Sequence, residues 1–321
     1  MGDTAAIDSG APSPEIDVSF VVTVYNKAPF ISGMVESLRR QGDPARFEYI
    51  FVDDGSIDGS GERIAGATRD LPRVTIVRQE NAGPAISTNV GVRHARGTYV
   101  KLLDADDRLV TGITPLLRDE LHSSGADLLI GHLATCRLGG IMSDDVPSVG
   151  RVQELEDPLM TILETGLSNT SATIFRREAC LAAGGCDETV FVQDYSMFLR
   201  MARRSRFLTS NAVFAYVPEN ATGRVSSMAG QTLHDTNRAL SNLIVSEPDL
   251  PARYKLVAMR RAAGRAWKWA LRHRGATLLS CPFFVHAISR LPIAALAPWV
   301  LRHACRPFRA DTALRFPGPP V

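Results

Sequence analysis

Three carboxylates, Asp104, Asp106 and Asp107, fall within four residues at the end of Tyr99 to Leu103, a run that otherwise reads as a buried strand. A chain that leaves an apolar layer through Val100, Leu102 and Leu103 and then crowds three acids onto one turn brings like charges together. A cation relieves that repulsion. Hard divalent ions such as Mg2+ take oxygen from one or two carboxylates and fill their remaining positions with water and substrate phosphates. The spacing therefore points to a metal-diphosphate site, against the plainer alternative of an acidic surface turn, for which Asp is a common residue.

The elements that must position these acids alternate along the chain. Val18 to Val24 is a β-branched, apolar run suited to a strand buried on both faces. Pro29 suits a first helical turn, and Ile31, Met34, Val35 and Leu38 recur at helical spacing. Phe47 to Val52 and Val74 to Val77 read as further strands, with helices from about Ser60 and over Gly83 to Ala95. Four strand-helix alternations predict an α/β fold with a mainly parallel central sheet. Ligands in such sheets bind outside the carboxyl ends of the strands. Polar clusters fall at those ends: Tyr25-Asn26, Asp53-Asp54, Asn81-Ala82-Gly83 and Asp104 to Asp107. Four such ends on one sheet edge favour the metal reading over a surface turn.

Beyond Leu109 the pattern loosens. Helices are expected over Ile113 to Leu121 and Asp157 to Glu164, and strands over Asp127 to Gly131 and Ala172 to Phe175. A turn at Gly184-Gly185 precedes a helix opening at Gln193-Asp194, Leu208 to Val217 reads as a final edge strand, and Pro218 to Gly230 as a flexible loop.

The chain of 321 residues is 45% apolar and 22% charged, the composition of a globular protein. Its charge is uneven: residues 251–310 hold 12 Lys or Arg and no acid, whereas residues 1–250 hold 23 Lys or Arg against 33 Asp or Glu. Five cysteines without metal-ligand spacing (Cys136, Cys180, Cys186, Cys281 and Cys305) argue against a disulfide framework or zinc site and suit a reduced, cytosolic setting. Met1 to Asp17 has neither a basic region nor an apolar core, so it reads as a disordered leader and not as a signal peptide.

Val18 to Asn26, Tyr49 to Ser56, Asn81-Ala-Gly83, Asn89-Val-Gly91, Ala95-Arg-Gly97-Thr-Tyr99 and Leu103 to Asp107, taken in order, resemble the family 2 glycosyltransferases of the GT-A (Rossmann-like) fold. The match is dense over about residues 18 to 110 and thinner to about residue 217. The resemblance implies a nucleotide-sugar donor, UDP-linked by default, and transfer with inversion to an acceptor hydroxyl. It places Thr23, Tyr25 and Asp54 at the nucleotide base, where an aromatic ring can stack and a carboxylate can accept an imide N–H. It assigns Asp106 to the metal, Mg2+ or Mn2+, Asp104 to the ribose or the metal's shell, and Asp107 and His234 as weaker metal candidates. It also implies that Asp194 is the base that deprotonates the acceptor; an acid favoured by a helix N-terminus is the alternative. Two positions depart from the family pattern: Gln193 stands where relatives carry Glu, and Thr88 where they often carry Arg. Lys27, Arg93 and Lys101 are candidates for the missing cation. Asp187, after the Gly-Gly turn, is read as turn chemistry.

The expected organisation is a leader over 1–17, a GT-A catalytic domain over 18–230 with nucleotide-binding (18–110) and acceptor (111–230) halves, and a basic helical C-terminal extension over 231–321. Prolines 282, 292 and 298, together with His286 and Arg290, make 281–301 unsuited to a spanning helix. They suit helices lying on an anionic membrane surface, with Trp267, Trp269 and Trp299 at headgroup depth; packing on the acidic body is the alternative. The expected setting is cytoplasmic, peripheral on the inner face of the cell membrane, with a glycan, lipid-linked or other hydroxyl acceptor and no nucleic-acid partner. A nucleotidyltransferase is the rival enzyme, although Tyr25-Asn-Lys-Ala-Pro29 is not a Gly-rich phosphate loop. A non-catalytic membrane adaptor is the rival of another class.

Overall fold

The computed structural model describes residues 16–136, 147–219 and 228–309. Nearly all of the expected leader, and most of the loop expected over 218–230, lie outside the described residues.

The centre of the sheet is β1 (Val18–Val24), flanked in parallel by β2 (Phe47–Asp53) and β4 (Tyr99–Asp104), with β3 (Val74–Arg78) beyond β2. Successive side chains on a strand point to opposite faces, so β1 feeds two cores. Phe20 and Val22 pack with Ile31, Met34 and Leu38 of α1 (Ile31–Arg39), while Val21 joins Ala85 and Val92 of α3 (Pro84–His94). Gly91 lets α3 lie close on the sheet, because a Cβ there would overlap Val21 Cγ1. The shorter α2 (Ser60–Ala67) lies between β2 and β3 in the chain.

The strand order is β3-β2-β1-β4-β8-β6-β9-β5, with β7 paired to β9. The first four strands are parallel, as expected, and the second half is mixed. There β8 (Thr173–Arg176) runs antiparallel to β4 and to β6 (Leu128–Cys136), and β9 (Phe207–Pro218) is parallel to β6. The short β5 (Arg108–Leu109) and β7 (Val152–Glu154) both pair antiparallel with β9. The expectation of a final edge strand over Leu208 to Val217 is therefore corrected. At 12 residues β9 is long enough to serve three partners, and the two short strands that cover it are too brief to show a periodic pattern.

Four helices belong to this half: α4 (Ile113–Ser124), α5 (Pro158–Thr165), α6 (Arg177–Ala182) and α7 (Gln193–Met201). They are followed by α8 (Ala229–Ser246), α9 (Ala252–Arg274), α10 (Cys281–Ile288), α11 (Ala297–Ala304) and α12 (Arg306–Arg309). The C-terminal helices share the core beneath α3: Met197 and Phe198 of α7, Leu240 and Leu243 of α8, Met259 of α9 and Leu301 of α11 belong to one apolar cluster. Ala258, Ala262, Ala266 and Ala270 form a stripe of small residues on α9 that is fully buried. Pro282 and Pro298 sit in the first turns of α10 and α11, where a missing N–H does no harm. Among the described residues no helix is long and apolar enough to cross a membrane. One detail of the expected interfacial tail changes: Trp269 packs on Phe308 and against the shared core, so it faces inward.

Candidate active site

The carboxyl ends of β1, β2 and β4 open onto a cavity of about 570 Å³ lined by Thr23, Tyr25, Lys27, Asp54, Asp104, Asp106, Asp107 and, from the far wall, Ser168, Asn169, Thr170, Gln193 and Asp194. Strand register explains the near wall, because Thr23 of β1 lies directly beside Asp104 of β4. Asp104 N–H donates to Ser171 Oγ at 2.9 Å, and Asp107 N–H donates to the Asp104 carbonyl at 3.0 Å, folding the three acids into one turn.

The loop after β1 is fastened to the loop after β2. Asn26 adopts a positive φ of 52°, its N–H donates to Ser56 Oγ, and its Oδ1 accepts from Ile57 N–H. Lys27 N–H donates to Ser60 Oγ, and Ala28 N–H to Asp58 Oδ2. This lacing leaves Tyr25 in the cavity lining and 47% exposed. It also directs the Lys27 ammonium inward, where it donates to Asp106 Oδ2 at 2.8 Å. Lys27 is the one Lys or Arg among the described lining residues. Of the other cations considered for the position vacated at Thr88, Arg93 pairs with Glu188 at the surface, and Lys101 is buried with its ammonium on the carbonyls of Leu102, Ser171 and Thr173.

Asp54 lines the cavity with its carboxylate already engaged. Oδ1 accepts from Gln79 Nε2 and Ala82 N–H, and Oδ2 from Gly83 N–H, all within 2.8 Å. It thus fixes the start of α3, not that of α2, and one of a carboxylate's roughly four acceptor positions remains. Asn89 of α3 clamps the Gly-Gly turn by exchanging hydrogen bonds with Cys186 and donating to Glu188. Asp187 accepts from Thr189 and Asn242 and stays out of the cavity lining, in keeping with turn chemistry.

The electrostatics join the two walls. Burial, reinforced by the charges of Asp107, Asp106 and Asp194, holds the Asp104 carboxyl well above the usual carboxylate range, against the pull of Lys27. Burial also raises the Asp194 carboxyl, against hydrogen bonds from Tyr195 N–H and Ser168. Asp194 sits in the first turn of α7 and, beside it, Gln193 Nε2 donates to Thr170 Oγ1 at 3.2 Å. Asp104, Asp106 and Asp107 are hard oxygen donors of the kind that could take part in holding Mg2+ or Mn2+ together with a diphosphate. Among the described residues no group of three or more His, Cys, Asp or Glu could hold a metal ion by itself, so the protein would supply one or two carboxylates and leave the remaining positions to water and substrate phosphates.

His234, expected as a weaker metal candidate, is elsewhere. It is fully buried in α8, its Nδ1 is 2.6 Å from Asp235 Oδ1, and it is absent from the cavity lining. Thr232 and Thr236, one turn apart on α8, face the cavity instead. The wall of Ser168, Asn169 and Thr170 was not anticipated either, since those residue types read as an ordinary turn.

Residues 19–140 match the family described as Glycosyl transferase family 2. The chain is 34% identical over 112 residues to the uncharacterized glycosyltransferase EpsJ of Bacillus subtilis, a match covering 35% of this chain and 32% of that one. It is 33% identical over 125 residues to the succinoglycan biosynthesis protein ExoO of Rhizobium meliloti, covering 39% and 35%. The chain thus spans about a third of the length of these curated relatives. Its fold is similar over 92% of its length to S. aureus TarS 1-349 solved with UDP-GlcNAc, at a TM-score of 0.65 and 18% identity over 90% of that chain. The mannosyltransferase PcManGT of Pyrobaculum calidifontis, solved with GDP-Man and Mn2+, matches at a TM-score of 0.54 and 18% identity, covering 94% of this chain and 89% of that one. Residues 19–140, which include the carboxylates at the end of β4, are therefore similar to family 2 glycosyltransferases, and the fold around them is of the GT-A type.

Proposed function

We propose that this protein transfers a sugar from a UDP-sugar to an acceptor hydroxyl, with inversion and with the help of Mg2+ or Mn2+, in the synthesis of a cell-envelope or lipid-linked glycan. The observation that carries the reading is the convergence of Asp104, Asp106 and Asp107 from β4 with Asp194 from α7 on one cavity. Glycan synthesis in the name of one relative, and nucleotide sugars in two structural neighbours, support it.

In this reading Tyr25 stacks on the base, Thr23 lines its seat, and Asp54 offers it the remaining acceptor position. Asp106 and Asp104 would hold the cation, with Asp107 behind them, and Asp104 also faces the ribose; His234 is the poorest candidate, being walled off by α8. The bound cation supplies Lewis-acid neutralisation of the departing diphosphate. Lys27 contributes the protein's own positive charge at the same place. Asp194 accepts the acceptor's proton as the new C–O bond forms on the face opposite the leaving phosphate, and its raised pKa brings it nearer the working pH of a general base. Residues 18–230 form the catalytic unit, in nucleotide and acceptor halves meeting near residue 110, and residues 231–321 extend it. The setting is the cytoplasm, at the inner face of the cell membrane.

A panel of nucleotide sugars with Mg2+ or Mn2+ tests this by thermal shift and by product release. A UDP-sugar should raise the melting temperature and be consumed when acceptor is present, and Asp106→Asn should abolish cation-dependent turnover. Release of pyrophosphate from a nucleoside triphosphate and a sugar phosphate, with no nucleotide sugar consumed, would overturn it in favour of a nucleotidyltransferase.

A further inference from the structure

Of the 15 large apolar side chains exposed among the described residues, seven lie between Leu271 and Trp299. Leu278 and Leu279, in the connection from α9 to α10, are 65% and 85% exposed; Phe284 of α10, Leu291 and Ile293 beyond it, and Trp299 of α11 are also exposed. These elements pack on one another: Trp267 of α9 meets Phe283 edge-on at 5.4 Å, and Phe283 in turn meets Phe284. The charged side chains interspersed with them are all basic. Lys268, Arg272 and Arg274 close α9, and Arg290 and Arg302 follow, with no Asp or Glu from residue 250 to the last described residue, Arg309. Lys268 and Arg290 lie near enough to His286 for their charges, added to burial, to lower its pKa.

Buried apolar positions on α9 and α11 already attach this region to the body, so the exposed leucines and aromatics are surplus to folding. Isolated exposed apolar residues are ordinary, but a cluster of them signals an interaction site. A basic rim selects the partner: side chains that bury their apolar ends in an acyl boundary while Arg and Lys meet lipid phosphates suit an anionic bilayer surface. A second copy of this chain would bring a like-charged rim to the same place.

We infer that residues 268–302 form a monotopic docking face for an anionic membrane, with Leu278, Leu279, Phe284 and Trp299 inserted at headgroup depth. The docking stands on this surface alone. Its consequence, that the acceptor is anchored in the same membrane, rests on the transferase reading.

Flotation of the full chain with vesicles of phosphatidylcholine alone, or with phosphatidylglycerol added, tests the inference. The wild type should float with the anionic vesicles, less with the neutral ones, and less at high salt. Leu278→Glu/Leu279→Glu, at two largely exposed positions, should lower the bound fraction about tenfold or more. Val245→Glu, at an equally exposed apolar position on α8 (64% exposed), should leave it unchanged. Equal flotation of the double variant and the wild type would overturn the inference. So would a concentration-dependent dimer that the double variant abolishes, in a protein that ignores vesicles. Donor consumption measured in detergent-free solution separates the two proposals: vesicle binding without any donor turnover would leave the docking face standing and sink the transferase reading.

Discussion

Lys27 offers the sharpest physical test of the acidic turn. Its ammonium lies 2.8 Å from Asp106 Oδ2, and both side chains are largely buried, at 12% and 7% exposure. At an effective dielectric constant of about 20, two unit charges at that distance attract by about 6 kcal/mol. Desolvation of both groups and the cavity's access to water offset most of this, leaving a net contribution of about 2 kcal/mol. Lys27→Met keeps most of the length of the side chain and removes the positive charge that faces Asp106 beside Asp104, Asp107 and Asp194. With an unfolding entropy of about 2.1 cal/mol/K per residue, that loss lowers the melting temperature by about 3 °C. In the proposed reading a divalent cation would take the place of the ammonium. Because it no longer competes with Lys27 for Asp106, the variant should bind Mn2+ about 30-fold more tightly than the wild type in the absence of nucleotide. Thermal melts in EDTA and calorimetric titration with Mn2+ read both effects. A variant as stable as wild type in EDTA that also binds Mn2+ no more tightly would refute the balance of charges described here.

Three further outcomes follow from other parts of the molecule. Gly91→Ala should lower stability by about 1–3 kcal/mol, read in denaturant melts, because its Cβ meets Val21 Cγ1 where α3 lies against β1. Asn89→Ala should cost a similar amount, since the buried Cys186 N–H loses its acceptor. Cation-free protein should gain stability between pH 7 and about 8.5. Burial lowers folded Lys101 to about 7, against the opposing charges of Asp107 and Asp104, from an ordinary 10.5, so in that window the unfolded chain binds more protons and rising pH favours the fold. Lys101→Met should remove that gain in melts recorded across the window.

The near wall of the site was legible in the sequence because each strand is an apolar run that ends abruptly in polar residues, and parallel strands bring those ends to one edge. Thr23 beside Asp104 follows from that register alone. What lay beyond reach depended on tertiary packing. The meeting of Asp194 with Asp104 needs α7 to be carried over by a core shared with α8 and α9, and only the family resemblance anticipated it. Asp54 looked like a free ligand for a base, yet it spends most of its acceptor capacity on the backbone at Ala82 and Gly83, which no spacing reveals. His234 follows its helix into the interior, because a residue two places from Thr232 faces the opposite side of α8. Ser168 to Thr170 carry no pattern that separates a cavity wall from a loop.

In the proposed reaction Asp194 would remove the acceptor's proton while other residues hold the donor. Asp194→Asn preserves the shape and the contact with Tyr195 N–H, so transfer and donor binding can be measured on the same variant. The transfer rate should fall by about 10²- to 10⁴-fold with the Kd for the UDP-sugar unchanged. Transfer at the wild-type rate would contradict it.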